Sequence, residues 1–488
     1  MAESLRNKTI NGMIWSSFGK FGALILQFVS NLVLARLLLP SDFGAIGLLY
    51  VFTNLSAIVI NGGFGSALIQ KKNPTDLDYT SVFWWNFVSA IIIYAVLFCS
   101  APAIGRFYQM PELVAVLRVQ SITLIILAFS MVQSTQLQKN LRFRELSIRS
   151  IISTLVGTVV AIIMAFLGFG IWSLVANNVV NALVSVILLW RLSLWRPHRS
   201  FSWSALWQLF SFGGLMALSY FVETIYSSIL SLLLGRWYSP SQLGYYTQAH
   251  KLEQVPTSAL SNIVSSVSFP LFSQLQDDKT RLRNILRKNI TTIMYLNVPL
   301  MIMLLVVAKP LIIILYGDKW YTSIEYFQIL CLGGAMYTLN SLVLNVIKSL
   351  GKSNIYLFVQ LLKRLISIGL IFAIFRIAQT GLIDGVRGLI WVVTASFYIY
   401  CIINSIFTKR LIDYSLWHQI KDIIPYFLLS TAAALGAYFM KYLVESNMLL
   451  LLLQCIVFVI IYLGLSAFLH ISAFEEYKII IKQKFARR

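Results

Sequence analysis

Eight ionisable side chains fall inside long apolar runs: Lys20, Arg118, Glu223, His250, Lys251, Glu253, Lys363 and Arg364. A charge in hydrocarbon is costly unless it faces protein or water, so such residues mark binding or relay chemistry. Lysine and arginine supply fixed positive partners for a phosphorylated or acidic ligand. Glutamate and histidine can exchange a proton, and glutamate can hold a small cation. Here the basic members outnumber the two glutamates, which favours an anionic cargo.

Lys251 is the first candidate for holding an anion. Glu253 reads either as its local counter-charge or as a cation-coupling group. His250 reads either as a proton site or as a hydrogen-bonded structural residue. Lys363 and Arg364 lie roughly 12–14 Å from one end of their helix at 1.5 Å per residue. They can receive a diphosphate there or snorkel to headgroups. Lys20 precedes Arg36 by sixteen residues and Glu223 precedes Arg236 by thirteen, so they sit about 24 Å and about 20 Å below those arginines. Two arrangements are open for this pair: they face each other across a cavity and pair in one state, or each snorkels or pairs within its own half. Arg118 is close enough to an interface to snorkel.

The elements that must position these groups are membrane helices. The chain has 488 residues, 58% hydrophobic and 12% charged, against about a quarter charged in soluble proteins. Apolar runs of roughly 18 residues or more recur throughout, each long enough to span about 30 Å as a helix. Fourteen spans are expected, so the fold class is an all-α polytopic membrane protein. The polar start, followed by a long first apolar run, reads as a retained first span and not as a cleaved signal. The net charge of +21 would suggest nucleic acid in a soluble protein. In a membrane protein it is expected of cytoplasmic loops, so no nucleic-acid partner is expected, only the surrounding membrane lipids. With the N-terminus placed inside, the inner loops hold about three times as many Lys and Arg as the outer ones, Arg142, Arg144 and Arg149 among them. An even number of spans then puts both termini in the cytoplasm. Cys99, Cys331, Cys401 and Cys455 lie in apolar runs without a CxxC pair, so neither a disulfide framework nor a metal site is expected.

One motif occurs twice. Arg36-x-x-x-Pro40-Ser41-x-x-Gly44 returns at the same spacing as Arg236-x-x-x-Pro240-Ser241-x-x-Gly244. Pro102 and Tyr108 are six residues apart, as are Pro310 and Tyr316. Six spans separate the two turns, so both face outside, and the halves are parallel repeats about an axis along the membrane normal. The expected organisation is an N-lobe over 1–191, an interfacial linker helix over 192–208, a C-lobe over 209–410, and a C-terminal helix pair with a cytoplasmic tail over 411–488.

The segments carrying these turns, LARLLLPSDFGAIGLL (Leu34 to Leu49) and LLLGRWYSPSQLGYYTQAHKLEQVP (Leu232 to Pro256), resemble Wzx-type polysaccharide flippases. So do GFGSALIQKK (Gly63 to Lys72), LQKNLRFREL (Leu137 to Leu146) and SFPLFSQLQDDKTRLR (Ser268 to Arg283). These belong to the multidrug/oligosaccharidyl-lipid/polysaccharide (MOP) exporter superfamily, and the pattern is similar to its colanic and teichuronic acid exporter branch. The resemblance covers the first twelve spans. It implies two six-helix lobes around a cavity in a bacterial inner membrane. It also implies outward flipping of undecaprenyl-pyrophosphate-linked oligosaccharide by alternating access, coupled to a proton or sodium gradient and needing no cofactor. A polysaccharide polymerase and a chain-length regulator are the implied partners. On cavity-lining spans so assigned, Asn31 and Asn54 join Lys20, Lys251, Lys363 and Arg364 as substrate-binding candidates. Glu223, Glu253 and His250 are the cation-coupling candidates. Arg36, Pro40, Gly44, Arg236, Pro240 and Gly244 form gate turns, the alternative for the two arginines being to cap helix ends or meet headgroups.

Two transporter alternatives remain at this stage, a cation-coupled multidrug exporter and a lipid II flippase of the same superfamily. A membrane glycan polymerase or ligase fits less well. The outer loops are too short to fold as a catalytic domain, and Asp277-Asp278 sits beside Lys279 and Arg281 in a charged loop. No GxxxxGK[ST] sequence is present, so direct nucleotide hydrolysis is not expected.

Overall fold

A computed structural model describes the backbone of residues 2–381 and 384–486. Side chains are described over the same ranges except at 2–14, 16–18, 20, 262–263, 266–267, 269–270, 353 and 480–486. The α-helices are α1 (Ala2–Leu37), α2 (Pro40–Asn61), α3 (Phe64–Gln70), α4 (Asp76–Phe107), α5 (Glu112–Gln120), α6 (Ile122–Ala128) and α7 (Met131–Lys139). There follow α8 (Phe143–Phe166), α9 (Ile171–Leu192), α10 (Trp203–Trp237), α11 (Pro240–Ser273), α12 (Lys279–Val306) and α13 (Ala308–Tyr316). The last are α14 (Tyr321–Ser349), α15 (Ser353–Gln379), α16 (Gly385–Ile412), α17 (Leu416–Phe439), α18 (Asn447–Phe468) and α19 (Ser472–Ala486). Eleven described helices are long and apolar enough to cross a membrane, or up to twelve if one bent pair counts as a span. The expected fourteen also included α1, whose described apolar part is the shorter Phe21–Leu37, and α11, which carries His250, Lys251, Glu253 and Pro256. The chain divides into two compact units, Met1–Gly244 and Tyr245–Arg488.

In the first unit α1 runs along α8, α8 along α9, and α2 along α10. Local chemistry fixes the helix ends. Pro40 opens α2 at its first turn, where the missing N–H costs nothing, and the Leu39 N–H donates to Asp42 Oδ2 at 3.0 Å. Gly62 and Gly63 end α2 with φ of 53° and 72°, a left-handed geometry that glycine adopts without a Cβ clash. The short α3 then ends under Lys139, whose ammonium donates to the carbonyls of Leu68 (2.9 Å) and Ile69 (3.0 Å), and also to that of Lys71. A cation is well placed there because a helix C-terminus leaves carbonyls unsatisfied. Thr75 and Asp78 form a capping box at the start of α4, and Lys71 pairs with Asp78 at 2.8 Å.

Two expectations change here. One of the fourteen spans, continuous in hydropathy over Leu113–Leu137, is broken in the structure: the helical run Glu112–Ala128 meets α7 at 45°. The Phe129 carbonyl at the break accepts from Trp190 Nε1 at 2.9 Å, which satisfies a group that would be orphaned in an apolar interior. The expected linker helix over 192–208 is not a separate element. Ser193–Ser202 has no regular helix, and Trp203 begins α10, which continues without interruption to Trp237. The amphipathic segment therefore forms the first turns of a span.

In the second unit α14 is the central helix, packed by α12 and α16, with α15 against α16 and α17 against α12 and α18. Buried amides link α14 to α16: Asn404 Nδ2 donates to Asn340 Oδ1 at 2.7 Å, and Asn340 Nδ2 donates to the Phe397 carbonyl at 2.9 Å. Such bonds hold membrane helices together where no hydrophobic difference from lipid can. The C-terminal pair is tied to α12 by specific contacts. The Arg287 guanidinium donates to both oxygens of Asp422 at 2.7–2.9 Å. Tyr414 Oη donates to Asp422 Oδ2 at 2.8 Å, and Tyr462 Oη to the Tyr295 carbonyl at 2.8 Å. Burial, and then the Asp422 carboxylate, push the Tyr414 phenol well above its ordinary value.

Candidate functional site

The repeated turns come together. A Cβ on Gly44 would collide with the Pro240 carbonyl, and a Cβ on Gly244 with the Pro40 carbonyl. Each motif thus supplies the glycine that the other motif's proline carbonyl needs, as expected of two equivalent elements meeting about a pseudo-twofold axis. Pro40, Gly44 and Gly244 are buried. Arg236 is half-buried, its guanidinium carbon 4.9 Å from the centre of the Phe107 ring, a cation–π arrangement. Arg36 is exposed. A second close approach involves Gly63 and Gly213, where a Cβ on Gly63 would meet the Gly213 carbonyl. The sequence carries Gly63 within a recognisable segment, but only the fold reveals why Gly213 stands opposite it.

The other first-unit candidates are dispersed. Asn31 is half-buried on α1, while Asn54 and Glu223 are exposed on α2 and α10. The Lys20 side chain lies outside the described residues, and with it the expected Lys20–Glu223 relation.

In the second unit, α11 turns its three ionisable candidates to different surroundings, as successive 100° rotations require. Lys251 is exposed. His250 stacks on Tyr246 with ring centres 5.5 Å apart and planes 15° apart. Glu253 points inward, 6% exposed. Its Oε1 accepts from Thr257 Oγ1 at 2.5 Å. It presses on α14 where Gly334 has no side chain: a Cβ there would collide with Oε1 and lie 2.9 Å from Thr257 Oγ1. Asn297 is fully buried nearby, donating to the carbonyls of Gly334 (3.3 Å) and Ala335 (2.9 Å). Its Oδ1 has no partner. No basic side chain pairs with Glu253 among the described residues, so it is not the counter-charge of Lys251. A buried carboxylate without a basic partner must take up a proton or a small cation, or remain at high cost.

Lys363 is 3% exposed on α15, with its ammonium 5.3 Å from the centre of the Tyr400 ring. Tyr400 also shares a hydrogen bond with Ser367. Arg364 is half-buried. Glu253 meets α14 whereas Lys363 meets α16, so the structure does not pair them. Sequence reasoning missed Thr257, Asn297 and Gly334. The one signal was the Gly333-Gly334 pair inside an apolar helix, where glycine is unfavourable unless something approaches closely. Among the described residues no cluster of His, Cys, Asp and Glu could hold a metal ion.

A family profile described as polysaccharide biosynthesis protein matches residues 33–325. The succinoglycan biosynthesis transport protein ExoT of Rhizobium meliloti (strain 1021) is 28% identical over 418 residues, covering 85% of this chain and 81% of its own length. The teichuronic acid biosynthesis protein TuaB of Bacillus subtilis (strain 168) is 26% identical over 338 residues, covering 69% and 70%. Among solved structures, the lipid II flippase MurJ in an inward closed conformation matches with a TM-score of 0.73 at 15% identity, covering 93% of this chain and 99% of that one. At that identity the likeness is one of fold.

Proposed function

The chain belongs to the polysaccharide biosynthesis protein family, as a multi-pass MOP-type transporter and not an enzyme, and from that premise we propose that it flips undecaprenyl-pyrophosphate-linked oligosaccharide. The oligosaccharide moves from the cytoplasmic to the outer leaflet of a bacterial inner membrane, supplying surface polysaccharide such as O-antigen, capsule or exopolysaccharide. The lobes are 1–191 and 209–410, with residues 411–488 as an appended pair and both termini cytoplasmic. A polysaccharide polymerase and a chain-length regulator work beside it.

The observation that carries this reading is the paired turn. Gly44 against Pro240 and Gly244 against Pro40 form a matched contact between the two copies of one motif, and internal repeats are what alternating-access transporters are built from. Lys20, Lys251, Lys363 and Arg364, with Asn31 and Asn54, hold the headgroup while the polyprenyl tail stays in lipid. Arg36 and Arg236 flank the outer opening. Glu253, with Glu223 and His250, couples the cycle to a proton or sodium gradient. The burial of the Glu253 carboxylate without a basic partner supports that role.

Deleting the gene in its host and measuring lipid-linked oligosaccharide tests the assignment. Intermediates should accumulate on the inner leaflet, protected from an impermeant lectin in right-side-out vesicles, and surface polysaccharide should disappear. Normal surface polysaccharide with no accumulation would overturn it. Lys251→Ala should impair export at unchanged protein level.

A further inference from the structure

The first unit contains a cavity of about 290 Å³ whose polar lining comes from Asn61, Asn86, Ser130, Ser134, Thr135 and Arg149. That is room for several waters, or for one phosphoryl or carboxylate group. The break between α6 and α7 places Ser130, Ser134 and Thr135 along one wall. Asn86 stands on α4 and Arg149 in the second turn of α8.

No lining residue is acidic. Arg149 Nε is buried with no hydrogen-bond partner, and among the described residues the guanidinium joins no ion pair. Asn86 is 1% exposed, and its Oδ1, an acceptor, has no partner; it can take the O–H of a hydroxyl that the ligand carries beside its charged oxygens. Asn61 accepts from the Gly65 N–H through Oδ1 at 3.4 Å, which leaves its NH₂ as a donor. A guanidinium with an unmet Nε–H, beside amides and hydroxyls around an open space, has the composition of an oxyanion site. Arginine's planar fork suits carboxylate and phosphate alike.

We propose that this pocket binds an oxyanion, a phosphoryl or carboxylate group, with Arg149 as its charge partner and Asn61 and Asn86 as neutral contacts. The site lies wholly within the first unit and does not depend on the cargo assigned above.

The test uses the purified full-length chain in detergent. Thermal unfolding is followed while sodium phosphate or sodium glucuronate is titrated, each against sodium chloride at matched ionic strength. A saturable rise in Tm with phosphate identifies a phosphoryl site, and a rise with glucuronate an acidic-sugar site; either supports the proposal. Arg149→Gln should weaken the apparent affinity by about tenfold or more, while Arg144→Gln, exposed on the same helix, should leave it unchanged. If Arg149→Gln does not fold, Asn86→Asp serves instead. It introduces a carboxylate into the pocket, and should raise the ligand-free Tm and abolish the anion response. Equal, unsaturable responses to all three salts, or a full response in Asn86→Asp, would overturn the proposal.

Discussion

Arg149 in the first unit and Glu253 in the second pose the same problem with opposite sign. Each is an ionisable group set into helices, and neither meets an opposite charge among the described residues. Their surroundings differ. Arg149 borders an open cavity with amides and hydroxyls, whereas Glu253 is pressed against the backbone at Gly334 with one hydroxyl donor. An unpaired charge with room beside it can be neutralised by a polyatomic ligand. An unpaired charge without room can be neutralised only by something as small as a proton or a bare cation. Space, more than charge, separates a binding site from a coupling site here.

The sharpest way to break this contrast is Glu253→Gln. It keeps the shape and the Thr257 contact but removes the charge, so export should fall by roughly a hundredfold at normal protein abundance if coupling runs through this residue. Surface polysaccharide measured in a complemented deletion strain decides it, and normal export would make Glu253 a packing residue. Glu223→Gln, exposed on α10, should reduce export less, by about tenfold, because that carboxylate is not enclosed as Glu253 is. Gly334→Ala tests the lack of room directly. The added methyl collides with the carboxylate and should cost about 1–3 kcal/mol, read as a lowered Tm of the purified protein. The smallest effect is expected from Thr257→Val, which removes one hydrogen bond to Glu253 and should cost about 1 kcal/mol in the same assay.

Much of the fold could be read from residue order. Apolar runs located the helices, and the Arg-x-x-x-Pro-Ser-x-x-Gly repeat identified the turns that prove to meet. Other features escaped for physical reasons. Averaged hydropathy passes smoothly over the break near Ser130, because the Trp190 indole that satisfies the Phe129 carbonyl comes from 61 residues away. Counting loop charges places Lys71, Lys139 and Arg149 on one side of the membrane but says nothing of what each one meets. In the fold Lys71 pairs with Asp78, Lys139 caps α3, and Arg149 faces a cavity. Each outcome depends on a partner distant in sequence. The candidate site was legible in residue type but not in direction. His250, Lys251 and Glu253 were all visible as charges in a span, yet only the packing of α11 on α14 shows that Glu253 alone points inward.

The matched contact of Gly44 with Pro240 and of Gly244 with Pro40 also constrains how such a chain can change. Two similar turns are usually free to diverge, but here each glycine is fitted to the other turn's backbone. A bulkier side chain at position 44 is tolerable only if the backbone near 240 retreats, so the first lesion should be rescued by changes in the opposite turn. Chimeras that exchange one half between relatives should fail at this seam and recover when both turns travel together.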